Sequence, residues 1–337
     1  MKTIRVWFNH WFSTAYHIIN LIKQDDETKF YVIGTSSNPD SVVRLSCDEW
    51  YYEDPHLSDD EYINFCLKFC EQHCIDVFVP RHNQLSVSRH KKDFENINVK
   101  VMADDFSLIS DLHDKVATYN FLSANSIGLV PQYASAQSAE EFISAYKNLS
   151  GSYSRLCCKF AEDEGAISFR IIDDNIASDC SVFRTSGRHM SSTMIADALA
   201  QTIKCPKIII MPFLSGNEVS VDCLRTTSGT IMIPRFKGNT RTEYIRYDQT
   251  ILDTCCELYS KLPLEMPCNI QFRYLDDKPY FLEINTRMSG GIHMTSMASG
   301  VNIPNIAINK LIGIEKPWDL VKEDKKISQI EQPVLMP

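Results

Sequence analysis

The sequence predicts an α/β protein of two or three domains, and three observations lead to that prediction. At 337 residues the chain is too long for one ordinary compact core. Over about the first 110 residues, short apolar strands alternate with helical segments, which is typical of a parallel sheet covered by helices. Beyond residue 150, strands follow one another in pairs separated by turns, which indicates antiparallel hairpins and an α+β architecture.

The first domain is predicted over residues 1–110, where four strands alternate with two helices. Ser13 or Thr14 would cap the first helix, and Ser58, followed three residues later by Glu61, is typical of a second helix start. The strands are predicted over residues 2–8, 29–34, 76–80 and 98–102, and the helices over residues 13–22 and 58–72.

The second part is predicted over residues 111–315, with a small subdomain over about residues 125–210 and a polar tail over residues 316–337. Its helices are predicted over residues 110–123, 138–147, 194–201, 250–261, 294–297 and 304–312. Its strands are predicted over residues 155–160, 168–172, 207–211, 218–224 and 230–235, and a further hairpin follows residue 267.

Composition excludes several classes of function. The formal net charge of −9 disfavours a protein that binds nucleic acid or an anionic membrane surface through general charge attraction. Glycine is scarce, at 12 residues, and the chain has neither a Gly-x-Gly-x-x-Gly motif nor a Walker-type phosphate loop. A dinucleotide dehydrogenase and a P-loop NTPase are therefore both disfavoured.

The 12 cysteines form no Cys-x-x-Cys pair and no recurring zinc-type spacing. Many lie in apolar surroundings, where a thiol behaves as a small hydrophobic group. Cys74 beside His73 could in principle contact a metal, but buried free thiols are the favoured interpretation. With no signal peptide or membrane span in the sequence, we expect a reducing cytoplasm as the compartment.

Two predicted strands, over residues 268–274 and 280–287, are the most informative part of the chain. Apolar and polar residues alternate in both, and residues 275–279 between them have the composition of a turn. A loop of three residues, 276–278, would set the register of this hairpin. One face would then hold the apolar residues Ile270, Phe272, Tyr274, Tyr280, Leu282 and Ile284.

The opposite face of this hairpin would be polar. Gln271 would lie opposite Glu283, and Asn269 opposite Asn285, so that hard oxygen donors come together. Mg²⁺ takes such oxygen ligands and completes its octahedron with phosphate oxygens and water. Guanidinium groups, here Arg273 and Arg287, recognise phosphate. The hairpin therefore predicts a platform for a Mg²⁺–nucleotide triphosphate, and the plain alternative is a sheet with one solvated face.

Other residues suit the same nucleotide. Lys159 ends an apolar strand before the turn of residues 161–166, where it would hold phosphate, and Lys115 could serve the same phosphates. Either lysine could instead be an ordinary solvated side chain. Glu218, at the mouth of a strand, can accept both ribose hydroxyls, and the apolar residues 209–214 would contact adenine.

The segment 234–246 holds four cations in a chain of net negative charge. A clamp for an anionic substrate or for the γ-phosphate is the functional hypothesis, and a solvated loop is an equally frequent explanation. The three candidates for contacts to a substrate carboxylate are Arg235, Lys237 and Arg241.

In this order the elements resemble the ATP-grasp superfamily over nearly the whole chain. The most specific part is Gln271, followed by the strand Glu283-Ile284-Asn285-Thr286-Arg287 and the segments 298–304 and 310–313. The chain looks most similar to the ATP-binding halves of the carbamoyl-phosphate synthase large subunit and to related stand-alone ligases.

The resemblance implies a fold and a set of roles. The first domain would be the Rossmann-like pre-ATP-grasp domain, and residues 111–315 the ATP-grasp fold, with two subdomains clasping ATP. Gln271, Glu283 and Asn285 would bind Mg²⁺ or Mn²⁺, and Arg287 would steady the transferred phosphate. The remaining ATP ligands would be Lys115, Lys159, Met211, Pro212, Phe213, Leu214 and Glu218.

Two departures from the family pattern accompany the resemblance. The phosphate loop is normally rich in glycine and serine, but here residues 161–166 carry three acids and one glycine. The adenine hinge has Met211-Pro212 where the family often has a glutamate.

The expected function is that of a cytoplasmic ATP- and Mg²⁺-dependent carboxylate-amine ligase with small-molecule substrates. It would proceed through an acyl phosphate, with Lys159 and Arg287 neutralising charge. Alternatives are a carbamoyl- or carboxy-phosphate-forming enzyme and a non-catalytic ATP-binding sensor or scaffold. The family also suggests a homodimer.

Overall fold

The computed structural model describes residues 3–162, 167–176, 187–238 and 241–336, and it confirms the mixed α/β class. The described chain divides into two compact units. The first combines residues 1–110, 217–271 and 284–337, and the second combines residues 111–216 and 272–283. The domain boundaries derived from the sequence stay a prediction.

The first unit begins with a parallel sheet of strand order β3-β2-β1-β4-β5. The order reverses between β1 and β4, as in doubly wound folds. The strands are β1 (Thr3–Asn9), β2 (Lys29–Ser36), β3 (Glu49–Tyr52), β4 (Val77–Val79) and β5 (Lys100–Val101). The helices are α1 (Ala15–Ile22), α2 (Asp59–Gln72), α3 (Gln84–Arg89), α4 (Lys91–Asn96) and α5 (Phe106–His113), with a 3-10 helix over Val42–Ser46.

Both faces of this sheet are buried, which explains the apolar runs in its strands. On one face, Trp7 stacks on Phe78 at 4.0 Å between ring centroids, beneath α2. On the other face, Val6 and Val32 join a core with α1 and with residues near the C-terminus. Strand β3, at the edge of the sheet, was missed by the sequence analysis because Glu-Trp-Tyr-Tyr is partly exposed and lacks an apolar period.

The second unit contains a sheet of strand order β6-β10-β7-β8-β9. Its strands are β6 (Ala134–Ala136), β7 (Leu156–Phe160), β8 (Arg170–Ile172), β9 (His189–Met190) and β10 (Ile208–Pro212). Its helices are α6 (Lys115–Ala124), α7 (Ala139–Ser150) and α8 (Ser192–Ala200). Phe142, Leu149 and Ile210 lie in the core between α7, α8 and the sheet.

A six-stranded sheet has the order β15-β14-β11-β12-β13-β16. Its strands are β11 (Glu218–Thr226), β12 (Gly229–Lys237), β13 (Thr242–Ile245), β14 (Cys268–Leu275), β15 (Lys278–Asn285) and β16 (Lys325–Ser328). The accompanying helices are α9 (Gln249–Lys261), α10 (Ile292–Ser299) and α11 (Ile303–Leu311). The polar tail thus contains a strand, β16, which pairs with β13 through its backbone, so that its side-chain pattern gave no signal.

The hairpin β14–β15 turns more tightly than the sequence analysis expected. Its loop has two residues, Asp276 and Asp277, both at positive φ (49° and 59°), as a type I′ turn requires. Phe281, rather than Leu282, is therefore the buried residue that packs edge-on against Phe272. Ile284 is also buried, so the buried positions change parity between 281 and 284, as at a β-bulge.

No helix in the described ranges is long and apolar enough to cross a membrane. The described cysteines are free, and most of them are buried, in agreement with the expectation of unpaired core thiols. Burial raises the pKa of the Cys47 thiol to about 12.

A buried carboxylate ties the N-terminal segment to helix α11. Asp25, whose side chain is 1% exposed, accepts hydrogen bonds from the amide nitrogens of Asn305 at 3.0 Å and Asn309 at 2.8 Å. It also accepts the backbone N–H of Thr28 at 2.7 Å and pairs with Lys316 at 3.2 Å. Burial alone would raise the pKa of Asp25, but these hydrogen bonds bring that pKa well below its usual range.

We expect Asp25→Ala to lower the free energy of unfolding by about 3 kcal/mol, because the amides of Asn305 and Asn309 would lose a buried acceptor. Urea unfolding measures the change. Asp26→Ala, which removes the exposed neighbouring carboxylate, is the control and should change stability by less than about 0.5 kcal/mol. Equal effects of the two variants would contradict this account.

Helix α10 carries a buried histidine, His293, whose ring stacks on that of His17 in α1 at 4.7 Å. Burial, together with His17 and the nearby Arg235 cation, lowers the pKa of His293 to about 4. The folded protein therefore holds this ring neutral at pH values where the unfolded chain, with a histidine pKa near 6.5, binds a proton.

This difference predicts that acid destabilises the protein through His293. As the pH falls from 6.5 to 4, the stability of wild type relative to His293→Gln should fall by about 2–3 kcal/mol. Urea unfolding of both proteins at several pH values measures it. The exposed His56, changed to Gln, is the control and should show no such trend. A pH-independent difference for His293→Gln would refute the assignment.

Candidate functional site

In the second unit, two lysines converge on one carboxylate. Lys115 begins helix α6, and Lys159 lies in strand β7, where it pairs with Ile209 of β10. Their amino nitrogens lie 3.7 Å and 3.6 Å from Oε2 of Glu283 in strand β15. The two lysine side chains are only 7% and 11% exposed. Two ammonium groups this close together can hold a phosphate group between them.

The start of helix α6 fixes Lys115. Its cap, Asp114, accepts the backbone N–H of Val116 at 2.8 Å and binds the amino group of Lys207 at 2.9 Å. The amino group of Lys115 itself donates to the carbonyl oxygen of Ala161 at 3.4 Å. Ala161 and Glu162 begin the acidic loop, and its remaining residues, 163–166, lie outside the described residues.

The predicted adenine segment, residues 211–214, covers the last two residues of strand β10 and the two residues after it. Met211 and Leu214 are buried, and the backbone N–H of Phe213 donates to the carbonyl oxygen of Arg155 at 2.9 Å. The guanidinium groups of Arg155 and Arg273 lie over the Phe213 ring at 4.5 Å and 5.6 Å. The sequence pattern does not indicate these contacts, because Arg155 and Arg273 are distant from Phe213 along the chain.

Gly216 closes this segment. Its N–H donates to the carbonyl oxygen of Tyr274 at 2.9 Å, and a Cβ at this position would lie 2.7 Å from the Tyr274 Cβ. Only glycine allows the two backbones to approach so closely.

In the first unit, the described part of segment 234–246 separates into exposed and buried cations. Lys237 and Arg241 are exposed: Lys237 pairs with Glu218, the predicted ribose ligand, and Arg241 pairs with Glu331. Residues 239–240 lie outside the described residues. The prediction that these cations contact a substrate carboxylate stays a prediction.

Arg235, in contrast, is buried, with 3% of its side chain exposed. Its guanidinium contacts Glu243 and donates from Nε to Thr295 Oγ1 at 3.0 Å, and Asp222 lies 3.7 Å away. A Cβ on Gly291 would collide with this guanidinium, which explains a glycine at that position. The structure thus gives Arg235 buried polar partners that the sequence pattern did not indicate.

Gln271 and Asn285, on the first unit's part of the hairpin, are both partly exposed. Gln271 donates from Nε2 to Asn269 Oδ1 at 3.1 Å. Beyond Asn285, the backbone carbonyl of Thr286 accepts a hydrogen bond from Gln84 at 2.7 Å, which fixes the chain just before the partly exposed Arg287.

Gln271 and Asn285 of the first unit carry amide oxygens, and Glu283 of the second unit carries a carboxylate. These are hard donors of the kind that Mg²⁺ takes, with phosphate and water as its other ligands. Among the described residues, no group of three or more His, Cys, Asp or Glu side chains could hold a metal ion.

Comparison with known proteins also indicates an ATP-grasp protein. A family model described as "ATP-grasp in the biosynthetic pathway with Ter operon" matches residues 204–333. No curated protein sequence matches the chain.

Solved structures match over nearly the whole chain. Biotin carboxylase from Campylobacter jejuni has 17% identity and a TM-score of 0.69, covering 94% of this chain and 72% of that chain. N5-carboxyaminoimidazole synthetase from Staphylococcus aureus, complexed with ADP, has 13% identity and a TM-score of 0.68, covering 94% and 78%. L-amino acid ligase from Bacillus licheniformis has 13% identity and a TM-score of 0.64, covering 92% and 75%.

At such low identity these structures establish the fold. Together with the family match, they confirm the predicted resemblance to the ATP-grasp superfamily, whose fold this chain has.

Proposed function

We propose that the protein is an ATP- and Mg²⁺-dependent ligase that activates a substrate carboxylate as an acyl phosphate for attack by an amine or another nucleophile. The observation that carries the proposal is the convergence of Lys115 and Lys159 on Glu283. The family match and the fold shared with an L-amino acid ligase support it.

The charged residues take complementary roles in binding ATP. Lys115 and Lys159 hold phosphate oxygens, and Glu218 accepts the ribose hydroxyls. Gln271, Glu283 and Asn285 would hold Mg²⁺, which neutralises phosphate charge and orients the triphosphate. The apolar segment 211–214 would contact adenine.

The reaction has two steps. An oxygen of the substrate carboxylate attacks the γ-phosphorus, the bond from that phosphorus to the bridging oxygen breaks, and ADP leaves. The amine nitrogen then attacks the carbonyl carbon of the acyl phosphate, the carbon–oxygen bond to phosphate breaks, and the amine gives up a proton. Arg287 would steady the transferred phosphoryl group, so that catalysis is mainly positioning and charge neutralisation.

A bicarbonate acceptor is the second candidate. Biotin carboxylase domains with the same fold are described in complex with bicarbonate. In that case, the γ-phosphoryl group would pass to bicarbonate instead of an organic carboxylate.

Wild-type protein should release ADP from Mg²⁺-ATP when supplied with the correct pool of carboxylates and amines, and Glu283→Ala should reduce that rate by at least about 100-fold. Glu323→Gln, which alters an exposed carboxylate, is the control and should retain full activity.

Unchanged turnover in Glu283→Ala would contradict the proposal. ADP release that needs bicarbonate and no amino acid would favour the second candidate. Thermal stabilisation by ATP without ADP release from any pool would favour a sensor or scaffold.

Three of the four cations of segment 234–246 should respond differently to substitution. Lys237→Met and Arg241→Met should raise the KM for the carboxylate by about tenfold each, because each removes a proposed substrate contact. The ADP affinity should stay within about threefold, because Glu218, the ion-pair partner of Lys237, is retained. Arg235→Met should instead lower the unfolding temperature, because it leaves the buried Asp222 and the partly exposed Glu243 without their cation. Unchanged KM values in the first two variants would refute their assignment.

A further inference from the structure

The side-chain amide of Gln271 has two unlike ends. Its carbonyl oxygen can bind a cation, whereas its NH₂ group can only donate hydrogen bonds. Because the two ends have almost the same shape, packing alone does not choose between them. The choice requires a hydrogen-bonding partner whose own direction is fixed.

Asp222 of strand β11 is such a partner. Its side chain is 0% exposed, and as a carboxylate it can only accept hydrogen bonds. It accepts from Asn269 Nδ2 at 2.8 Å, from Ser289 Oγ at 2.7 Å and from Thr295 Oγ1 at 2.5 Å. The buried Arg235 guanidinium, 3.7 Å away, balances its charge.

The orientation of the Asn269 amide in strand β14 is fixed by Asp222 and in turn fixes that of Gln271. Its side chain is also fully buried, and the acceptor-only Asp222 obliges it to point its NH₂ group inward. Its carbonyl oxygen must therefore face Gln271, two residues further on the same strand face, and it accepts from Gln271 Nε2 at 3.1 Å. With Nε2 engaged in this way, Oε1 is the end of Gln271 that is presented to a ligand.

We propose that Asp222 is a positioning residue that acts through Asn269 to hold the Gln271 amide with its oxygen toward a divalent cation. The chain of three side chains, Asp222, Asn269 and Gln271, is here called the amide relay. The inference rests on the proposed function, because the cation that Gln271 would bind is the Mg²⁺ of that function. Residues Ser289, Thr295 and Arg235 hold the carboxylate that begins the relay.

The relay predicts what happens when its first member loses its acceptor-only character. In Asp222→Asn, the amide oxygen should keep the place of Oδ2, where it accepts from Thr295 and faces the Arg235 cation, so its NH₂ group takes the place of Oδ1 beside Asn269. Asn269 then turns its oxygen inward and its NH₂ group toward Gln271. Gln271 rotates in response and presents NH₂ to the cation, although the substitution changes neither the size nor the shape of the side chain.

The experiment measures Mn²⁺ binding in the presence of ADP by electron paramagnetic resonance of free Mn²⁺, and it does not depend on turnover. Asp222→Asn should weaken Mn²⁺ binding about 10- to 100-fold, the range typical of groups that orient metal ligands. ADP affinity without metal should change by less than about threefold.

The deciding comparison is a double-mutant cycle with Gln271→Glu. A carboxylate has oxygen at both ends, so in that background the relay has no orientation to control. Asp222→Asn should then weaken Mn²⁺ binding by less than about threefold. Thr295→Val is the matched control for damage at the buried site, because it removes the hydrogen bonds of Thr295 with Asp222 and Arg235 and leaves Asp222 acceptor-only. It should leave Mn²⁺ affinity within about twofold of wild type.

If Asp222→Asn does not fold, Asn269→Ala tests the same coupling, because it interrupts the relay and leaves Asp222 with its other partners. An equal loss of Mn²⁺ affinity in the Gln271 and Gln271→Glu backgrounds would overturn the relay, as would no loss in either. Those results would leave the proposed function standing as long as wild type binds Mn²⁺ with ADP. Absence of Mn²⁺ binding by wild type would overturn both.

Discussion

Buried carboxylates place the strongest constraint on this structure, because each can only accept hydrogen bonds and must be supplied with donors. Three described residues of the first unit illustrate this constraint. Asp25 accepts hydrogen bonds from side-chain amides of helix α11, and Asp222 accepts them from residues of β14 and α10. Glu53 accepts from Thr35 and from Tyr62 of α2. Each carboxylate therefore joins segments that are distant in the sequence, and moving any of these segments would leave a buried charge unsatisfied.

The sequence was sufficient for the features that depend on local pattern. The parallel strands β1, β2 and β4 were predicted from apolar runs between helices, and the α/β class is confirmed. The hairpin β14–β15 was predicted from its alternation. The length of its turn was wrong, because Asp276 and Asp277 both occupy positive φ, a conformation that non-glycine residues adopt infrequently. The buried positions of β15 change from odd to even numbers between Phe281 and Ile284. The sequence does not show this change, because Phe281, Leu282 and Ile284 are all apolar.

The candidate site shows the same division between local and distant information. Lys115, Lys159 and Glu283 could be selected as residue types, but the convergence of all three depends on pairing between strands and on the start of α6. Arg235 shows why burial and charge pairing at the site could not be predicted. Its sequence neighbours suggest an exposed basic loop, whereas the tertiary structure surrounds it with Asp222, Glu243 and Thr295. Burial and charge pairing across distant segments carry no periodic signal in the sequence.

The choice of amides at two of the three proposed cation ligands has a physical cost and a physical benefit. Neutral donors at Gln271 and Asn285 would add no negative charge, so a cation that they hold would keep its positive charge for a polyphosphate. A carboxylate at position 271 would weaken that attraction, but it would also bind a cation with either oxygen. An amide gives up this symmetry, and a wrongly turned amide repels the cation with its N–H groups. A site that uses amides in this way therefore needs a fixed reference for their direction, and a buried carboxylate is the side chain whose hydrogen-bonding direction cannot be reversed.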